Sequence, residues 1–414
     1  MKAILLLASL LGLLFSFSAC TSDNEDKVLI PVQVNEKWGY VDRNGSWCIS
    51  PKFGYAGFFQ DNGLAEIELD GEKGFIDKSG KIVIKPQFEM VEYFQDNGLA
   101  NIRLNEKWGC IDATGKLVVE PRYDDIWDFS SNGLADVKLN DKWGYIDATG
   151  KMVIEPQFDF ADSFEENGLA GVELKGKWGY IDAAGKFVVE PRYDKRFYFS
   201  SNGLAAVKLN KKWGYINATG NWVIEPQFGF AGIFQNNGLA SVELNGKWGF
   251  IDSSGKFVIE PQYENVGWFG KDKLCPVQVN DKWGYIDSVG NFMIKPQFDM
   301  ALEFQSESFA AVCINDKWGY IDRTGKIIVK PQFDEINYWG YSFSNFVSVY
   351  KNEKCGCIDK TGKIIIKPEY SSVSIHESLG VIIVSDYDKM GVVNIQGKNV
   401  ANPKINWIYY PLLF

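Results

Sequence analysis

The chain has 414 residues, of which 46% are apolar and 15% aromatic, and it carries a formal net charge of −10. Apolar content of this order supports a packed structure and argues against disorder. So acidic a chain lacks the dense Lys and Arg that sequence-independent binding to DNA or RNA requires, and no nucleic-acid partner is expected.

The first element is a short apolar run, Ala3 to Phe17, behind Lys2 and ahead of the small residues Ser18 and Ala19. One positive charge, an apolar stretch too short for a membrane span and a small-residue end read as a secretory signal peptide over residues 1–19. Phe17-Ser18-Ala19-Cys20 resembles a bacterial lipobox, with Phe at a position usually held by Leu or Val. That resemblance implies lipid attachment at Cys20 and anchoring to the membrane through several acyl chains. A plain secretory signal with an incidental cysteine is the alternative. Residues 20–27 then form the lipidated cysteine and a polar, acidic tether, and the acidic run resembles surface-export signals of Bacteroidetes lipoproteins. The expected location is the cell envelope, as an outer-membrane lipoprotein that could face the surface.

Residues 28–414 are one long repeat. A Gly stands at 39, 74, 109, 144, 179, 214, 249, 284 and 319, always 35 residues apart, and then at 356 and 391. A Pro follows each of them by twelve residues, from Pro51 to Pro403, which makes eleven units. Within one unit, Ala100, Ile102 and Leu104 alternate with Asn101 and Arg103, the period of a strand with one buried face. Asn105-Glu106 is a two-residue turn, and its counterpart Asn245-Gly246 is a strong hairpin signal. The second strand is Lys107 to Asp112. Asp112-Ala113-Thr114-Gly115 reads as a turn, with Asp accepting backbone hydrogen bonds and Gly supplying positive φ. The third strand, Lys116 to Glu120, is expected to stop at Pro121, because proline removes a ladder donor. An aromatic connector with Tyr123, Trp127 and Phe129 leads to the next turn at Asn132-Gly133. The last units depart from the pattern: Cys355 and Met390 replace the Trp, and Gly340–Tyr350 holds a two-residue insertion.

A three-stranded meander is marginal alone, so stacked neighbours must bury each other's faces. The expected fold is therefore all-β, a tandem array of about eleven three-stranded β-meander repeats forming an open superhelical solenoid, with degenerate C-terminal repeats as caps. A propeller-like closed ring is the alternative; units of 35 residues are short for four-stranded blades, and eleven blades exceed the usual number.

Lys142-Trp143-Gly144-Tyr145-Ile146-Asp147 followed by Gly150-Lys151-Met152-Val153-Ile154-Glu155-Pro156-Gln157-Phe158 resembles the WG-repeat (KWG-repeat) family of bacterial proteins. The resemblance spans nearly all of residues 28–414. It implies a β-rich scaffold in exported or surface proteins and no defined reaction.

Little in the chain marks catalysis. Its one histidine, His376, lies in a degenerate unit, and neither GxSxG, HExxH nor a phosphate loop is present. Carboxylates are plentiful, but nothing singles out one pair. The recurrent Asp of the D-x-x-G turn is read as a turn cap and not as part of a metal ladder. Cys48, Cys110, Cys275, Cys313, Cys355 and Cys357 show no CxxC pair and are read as small buried residues. No enzyme activity, cofactor or metal is expected. The recurrent Trp is read first as packing and second as a sugar- or amine-binding ladder. Ligand choice should sit where the units differ, in the connectors, where Trp127, Tyr198, Trp268, Tyr338 and Trp339 form a candidate binding strip or else plug gaps between units. The expected function is a non-enzymatic envelope lipoprotein whose repeat surface binds a protein or glycan partner. The alternatives are a carbohydrate- or cell-wall-binding module using aromatic rows, and an accessory domain of a hydrolase.

Overall fold

Each hairpin closes through a turn that forces two residues into the left-handed region. Asn105 and Glu106 have φ of 51° and 61°, and their counterparts in other units lie in the same region, between 51° and 85°; this twist matches that of the flanking strands. The register follows: Trp108 sits opposite Arg103 and Gly109 opposite Ile102. The following turn is capped as its sequence requires. Asp112 Oδ1 accepts from the amides of Thr114 (2.9 Å) and Lys116 (3.1 Å) and from the Thr114 hydroxyl (2.6 Å), and Gly115 has φ of 85°. These bonds hold the Asp112 carboxyl below its ordinary range.

The computed structural model describes residues 28–405 except 35, 43–45, 271–272, 305–308, 337–345, 360, 378–379, 387–388, 396 and 398. They form eleven antiparallel sheets, ten of four strands and the first of three. We number these as blades in chain order. Blade 4, for example, consists of Asp125–Ile126, Leu134–Leu139, Lys142–Asp147 and Met152–Phe158 in that spatial order; blade 6 runs from Lys195 to Phe228 on the same plan.

Two local expectations need correction. Most units have a fourth strand, two residues of the connector, which is too short to show a period of two. Proline also does not end the last strand: Leu117–Tyr123 passes straight through Pro121. The ladder shifts there, pairing Cys110 with Val119 and then Trp108 with Tyr123. At such a bulge no donor is needed from the proline. The bulge also explains the Gly–Pro spacing of twelve. A Cβ on Gly109 would lie 2.8 Å from Pro121 N and on the carbonyl oxygen of Val119, so the bare glycine is what lets the two strands approach.

No blade hides its own apolar face. One buried cluster joins Trp143, Tyr145, Ile154 and Phe158 of blade 4 to Ala161, Ala170, Val172 and Ile181 of blade 5, and another joins blades 6 and 7 in the same way. Each large side chain so buried contributes roughly 1.5–3 kcal/mol. In five blades a Tyr hydroxyl adds a bond across the junction; Tyr145 OH donates to Asp162 O and Tyr215 OH to Gly232 O, both at 2.7 Å.

The same packing closes the molecule, so the open solenoid is wrong. Val381 and Ile383 of blade 11 share a buried cluster with Leu29, Ile30, Trp38 and Tyr40 at the start of the described chain. The rings of Phe58 and His376 lie 5.5 Å apart across that junction. The array is a closed ring, a β-propeller of eleven blades, as the alternative reading had it. The final blades are therefore ordinary members of a ring and not caps on an open end. No helix among the described residues is long and apolar enough to cross a membrane. Cys20 and the apolar tail from Asn406 lie outside the described residues.

Candidate functional site: the connector belt

The repeated tryptophans are spent on packing. Trp38, Trp143 and Trp213 are buried and the others half-buried. They meet connector aromatics, as Trp143 meets Phe160 at 5.6 Å and Trp213 meets Phe230 at 5.6 Å. A second conserved contact within the repeat sets the connector itself: its Phe lies on the Tyr ring of the preceding blade, as Phe164 does on Tyr145 at 4.9 Å.

Successive connectors are stitched to each other. The amide of Phe94 donates to Gln60 Oε1 (2.7 Å), Phe129 to Gln95 (2.8 Å), Phe199 to Glu165 (2.9 Å), Phe234 to Ser200 (2.9 Å) and Phe269 to Gln235 (2.8 Å). The connectors thus form a belt along one edge of the blades, and residues that differ between units are displayed side by side on it.

Three of the sequence-derived candidates stand out from this belt. Trp127 is 52% exposed, Tyr198 56% and Trp268 51%. Tyr93, which the sequence reading passed over, is equally exposed in blade 3, at the repeat position of Tyr198 and Trp268 and one residue after that of Trp127. Tyr338 and Trp339 lie outside the described residues. Two of the exposed rings bond a carboxylate through their hydroxyl, and a third residue does so through its backbone amide. Tyr93 OH donates to Asp128 Oδ2, Tyr198 OH to Asp162 Oδ1 at 3.3 Å, and the Trp268 amide to Glu303 Oε1 at 3.1 Å.

The belt has two unlike stretches. Around Trp127 it is acidic. Asn101 Nδ2 donates to Glu92 Oε2 (2.9 Å) and to Asp128 Oδ1 (3.4 Å). Asp136, almost fully buried, accepts from Ser163 Oγ at 2.7 Å. Burial, with Asp125 and Asp128 nearby, pushes the Asp136 carboxyl up to about 6. Cys110 donates to Asn101 Oδ1 at 3.3 Å, and burial pushes its thiol up to about 12, so it is a packing residue and no nucleophile.

Between blades 5 and 6 the belt opens into a cavity of about 290 Å³, lined by Asp162, Trp178, Lys195, Arg196, Phe197 and Tyr198. Arg196 is nearly buried and pairs with Asp162, with Glu165 Oε1 3.8 Å away. Its guanidinium carbon lies 4.9 Å from the Trp178 ring and 4.8 Å from that of Tyr198, within reach of cation–π attraction. Burial lowers the Arg196 pKa to about 10, so it stays charged at neutral pH. Burial also pushes the Glu165 carboxyl up to about 7. Sequence reading had noticed this connector but not the cavity. The available signal was Arg196 itself, an Arg where sister connectors carry Ala, Val or Ile. Among the described residues no three His, Cys, Asp or Glu side chains gather as a metal site would need.

The model of the WG-containing repeat matches ten successive segments, from residues 38–72 to residues 356–389, so the chain belongs to that family. No curated protein matches the sequence. Among solved structures, it is similar to a eukaryotic initiation factor at 10% identity, over 91% of this chain and 95% of that one, with a TM-score of 0.42. It is also similar to Hsv2p of Kluyveromyces lactis (9% identity, 56% and 92% covered, TM-score 0.32) and to AztD of Citrobacter koseri (13%, 74% and 92%, 0.31). Likenesses this distant carry no functional argument.

Proposed function

We propose that this member of the WG-containing repeat family is a non-catalytic binding protein of the cell envelope that holds a glycan chain along its connector belt. The observation that carries the reading is the run of exposed rings at two adjacent positions of the repeat, Trp127 at one and Tyr93, Tyr198 and Trp268 at the next, the last three with a carboxylate hydrogen-bonded at the residue. A half-exposed indole adds little to folding and leaves apolar surface in water. A pyranose supplies what such a pair lacks: an apolar face for the ring and hydroxyls for the carboxylate. Residues 1–20 support delivery to the envelope and lipid attachment at Cys20, which would hold the belt at a membrane surface.

A glycan array probed with the full chain and with Trp127→Ala and Trp268→Ala tests the binding reading. Retention of glycan by the parent and its loss in either variant, at unchanged melting temperature, is expected. A blank array alongside specific recovery of an envelope protein would replace the glycan with a protein partner. Metabolic labelling with a fatty-acid analogue, abolished by Cys20→Ala, checks the anchor.

A further inference from the structure

The repeat breaks in volume and in charge at one junction. In the second connector position every other blade that has a connector strand carries Ala, Val or Ile, as in Ala56, Val91, Ile126, Ala161 and Ala231; blade 6 carries Arg196. The neighbouring blade has made room for it. Gly171 stands where other blades have Glu66, Asn101, Asp136 or Ala206, and a Cβ there would fall inside the Arg196 guanidinium. Burying a charge costs several kcal/mol unless it is well paired, and Arg196 Nε has no hydrogen-bond partner. Nine sister connectors show that a small apolar residue serves the fold there.

The cations around the cavity are equally out of pattern. Lys195 lies directly opposite Lys208, a like-charge pair that repels; the same two positions in blade 4 hold Asp125 and Lys138. Lys138 pairs with Asp141, whereas Lys211 follows Lys208 at that spacing. The Lys of the repeat pairs with an Asp seventeen residues on in blades 3, 4, 5, 8 and 9. Lys212 has Gly229 at that place and makes no ion pair among the described residues. The acids nearby are engaged: Asp194 by Lys177, Asp162 by Arg196, and Glu243 by the Gly246 amide. On a chain of net charge −10, residues 194–228 hold five Lys and Arg against two Asp and Glu.

From the cavity, its aromatic walls and this local inversion of charge, we infer that the junction of blades 5 and 6 is a subsite for a carboxylate-bearing sugar within an acidic polysaccharide. The inference rests on the glycan reading and narrows it. The cavity is near the lower end of the range for small-molecule sites, roughly 300–1,000 Å³, and is of a size for one sugar ring. Tyr198 offers the stacking face, and Lys195 meets the sugar carboxylate. Lys208 and Lys212 continue the positive track toward the next residue of the polymer. Arg196 is a positioning residue: it holds Asp162 and raises the local potential.

The test is affinity electrophoresis and calorimetry of the full chain with polygalacturonate, neutral dextran and dextran sulfate, at low and high salt. Polygalacturonate should bind, weaken with salt, and weaken at least about tenfold, or about 1.4 kcal/mol, with Tyr198→Ala and with the double change Lys195→Asp and Lys208→Glu. Lys195→Asp copies Asp125 of blade 4, so folding should persist, and unchanged melting of the double variant verifies it. Equal binding of dextran, indifferent to the lysine changes, would overturn this inference and leave the glycan reading standing. Preference for dextran sulfate over polygalacturonate would overturn the carboxylate assignment. Failure of all three polymers, with a blank neutral-glycan array, would remove both.

Discussion

Blades 4 and 6 lie 70 residues apart and share nearly every structural feature, yet present opposite surfaces. Leu134–Leu139 and Leu204–Leu209 have the same pattern of burial, and Trp143 and Trp213 are both buried. Tyr145 and Tyr215 make the same bond to the next connector. The charges diverge. Residues 124–158 hold seven Asp and Glu against three Lys, while residues 194–228 hold two against five. The rings diverge with them: Phe197 stacks on Trp213 at 5.2 Å and 18°, but Trp127 meets Trp143 edge-on at 6.5 Å and stays half in water. The pair teaches that the apolar positions, the Gly and the turns carry the fold. Exposed ion pairs contribute at most about 1 kcal/mol each, so a blade can change its charge freely.

The largest expected effect tests the shared half of that comparison. Gly144→Val would put a Cβ 2.7 Å from Pro156 N and on the Ile154 carbonyl oxygen, and Gly214→Val would do the same at Pro226. Backbone cannot yield as a side-chain tip can, so either change should cost more than about 4 kcal/mol. Trp127→Ala, which removes a half-exposed ring, should cost about 1 kcal/mol or less. Thermal melts check the order. Equal melting of Gly144→Val and Trp127→Ala would mean that the Gly–Pro contact does not set the blade.

The next effect separates the blades by pH. Asp136 is buried in blade 4, and Ala206 holds its place in blade 6. Its folded pKa of about 6 exceeds the ordinary 3.8, so the folded chain binds that proton more tightly than the unfolded one. The resulting stability is fully present below about pH 4 and is lost as pH rises through about 6. Asp136→Asn, which copies Asn101 of blade 3, should leave melting near pH 4 unchanged and raise it near pH 8, by up to roughly 3 kcal/mol. A variant that melts in parallel with the parent at all pH values would show that Asp136 is not held in an unfavourable ionised state.

What sequence could reveal follows from range. The Asn105-Glu106 turn and the Asp112 cap involve residues within a few positions of each other, and both were readable. Ring closure is set by a small rotation between successive blades, which no single 35-residue unit displays, and so the solenoid and the ring looked alike until Val381 met Trp38. The two-residue strand Asp125–Ile126 was hidden by its brevity, and Pro121 misled because a bulge removes the need for the donor it lacks. Trp127, Tyr198 and Trp268 could be picked out as breaks in the repeat. The cavity could not, since it needs Gly171 and Arg196, in different blades, to be read as one event.

The smallest expected effect on stability is the sharpest test of the unshared half. Gly229→Asp would give Lys212 the partner that Lys142 has in Asp159. The position is open to a side chain once the Glu243 carboxylate, a flexible tip lying over Gly229, swings aside. The new pair is exposed, so melting should move by less than about 1 kcal/mol in either direction. The net charge beside the blade 5–6 cavity should nevertheless fall by one unit. If the positive track of blade 6 matters to a polyanion, this variant should weaken polygalacturonate binding most at low salt and little at high salt, where the remaining charges are screened. Unchanged binding at low salt would confine the charge requirement to Lys195 and Lys208. It would then make the difference at Gly229 a neutral drift of the kind that weak surface pairs permit.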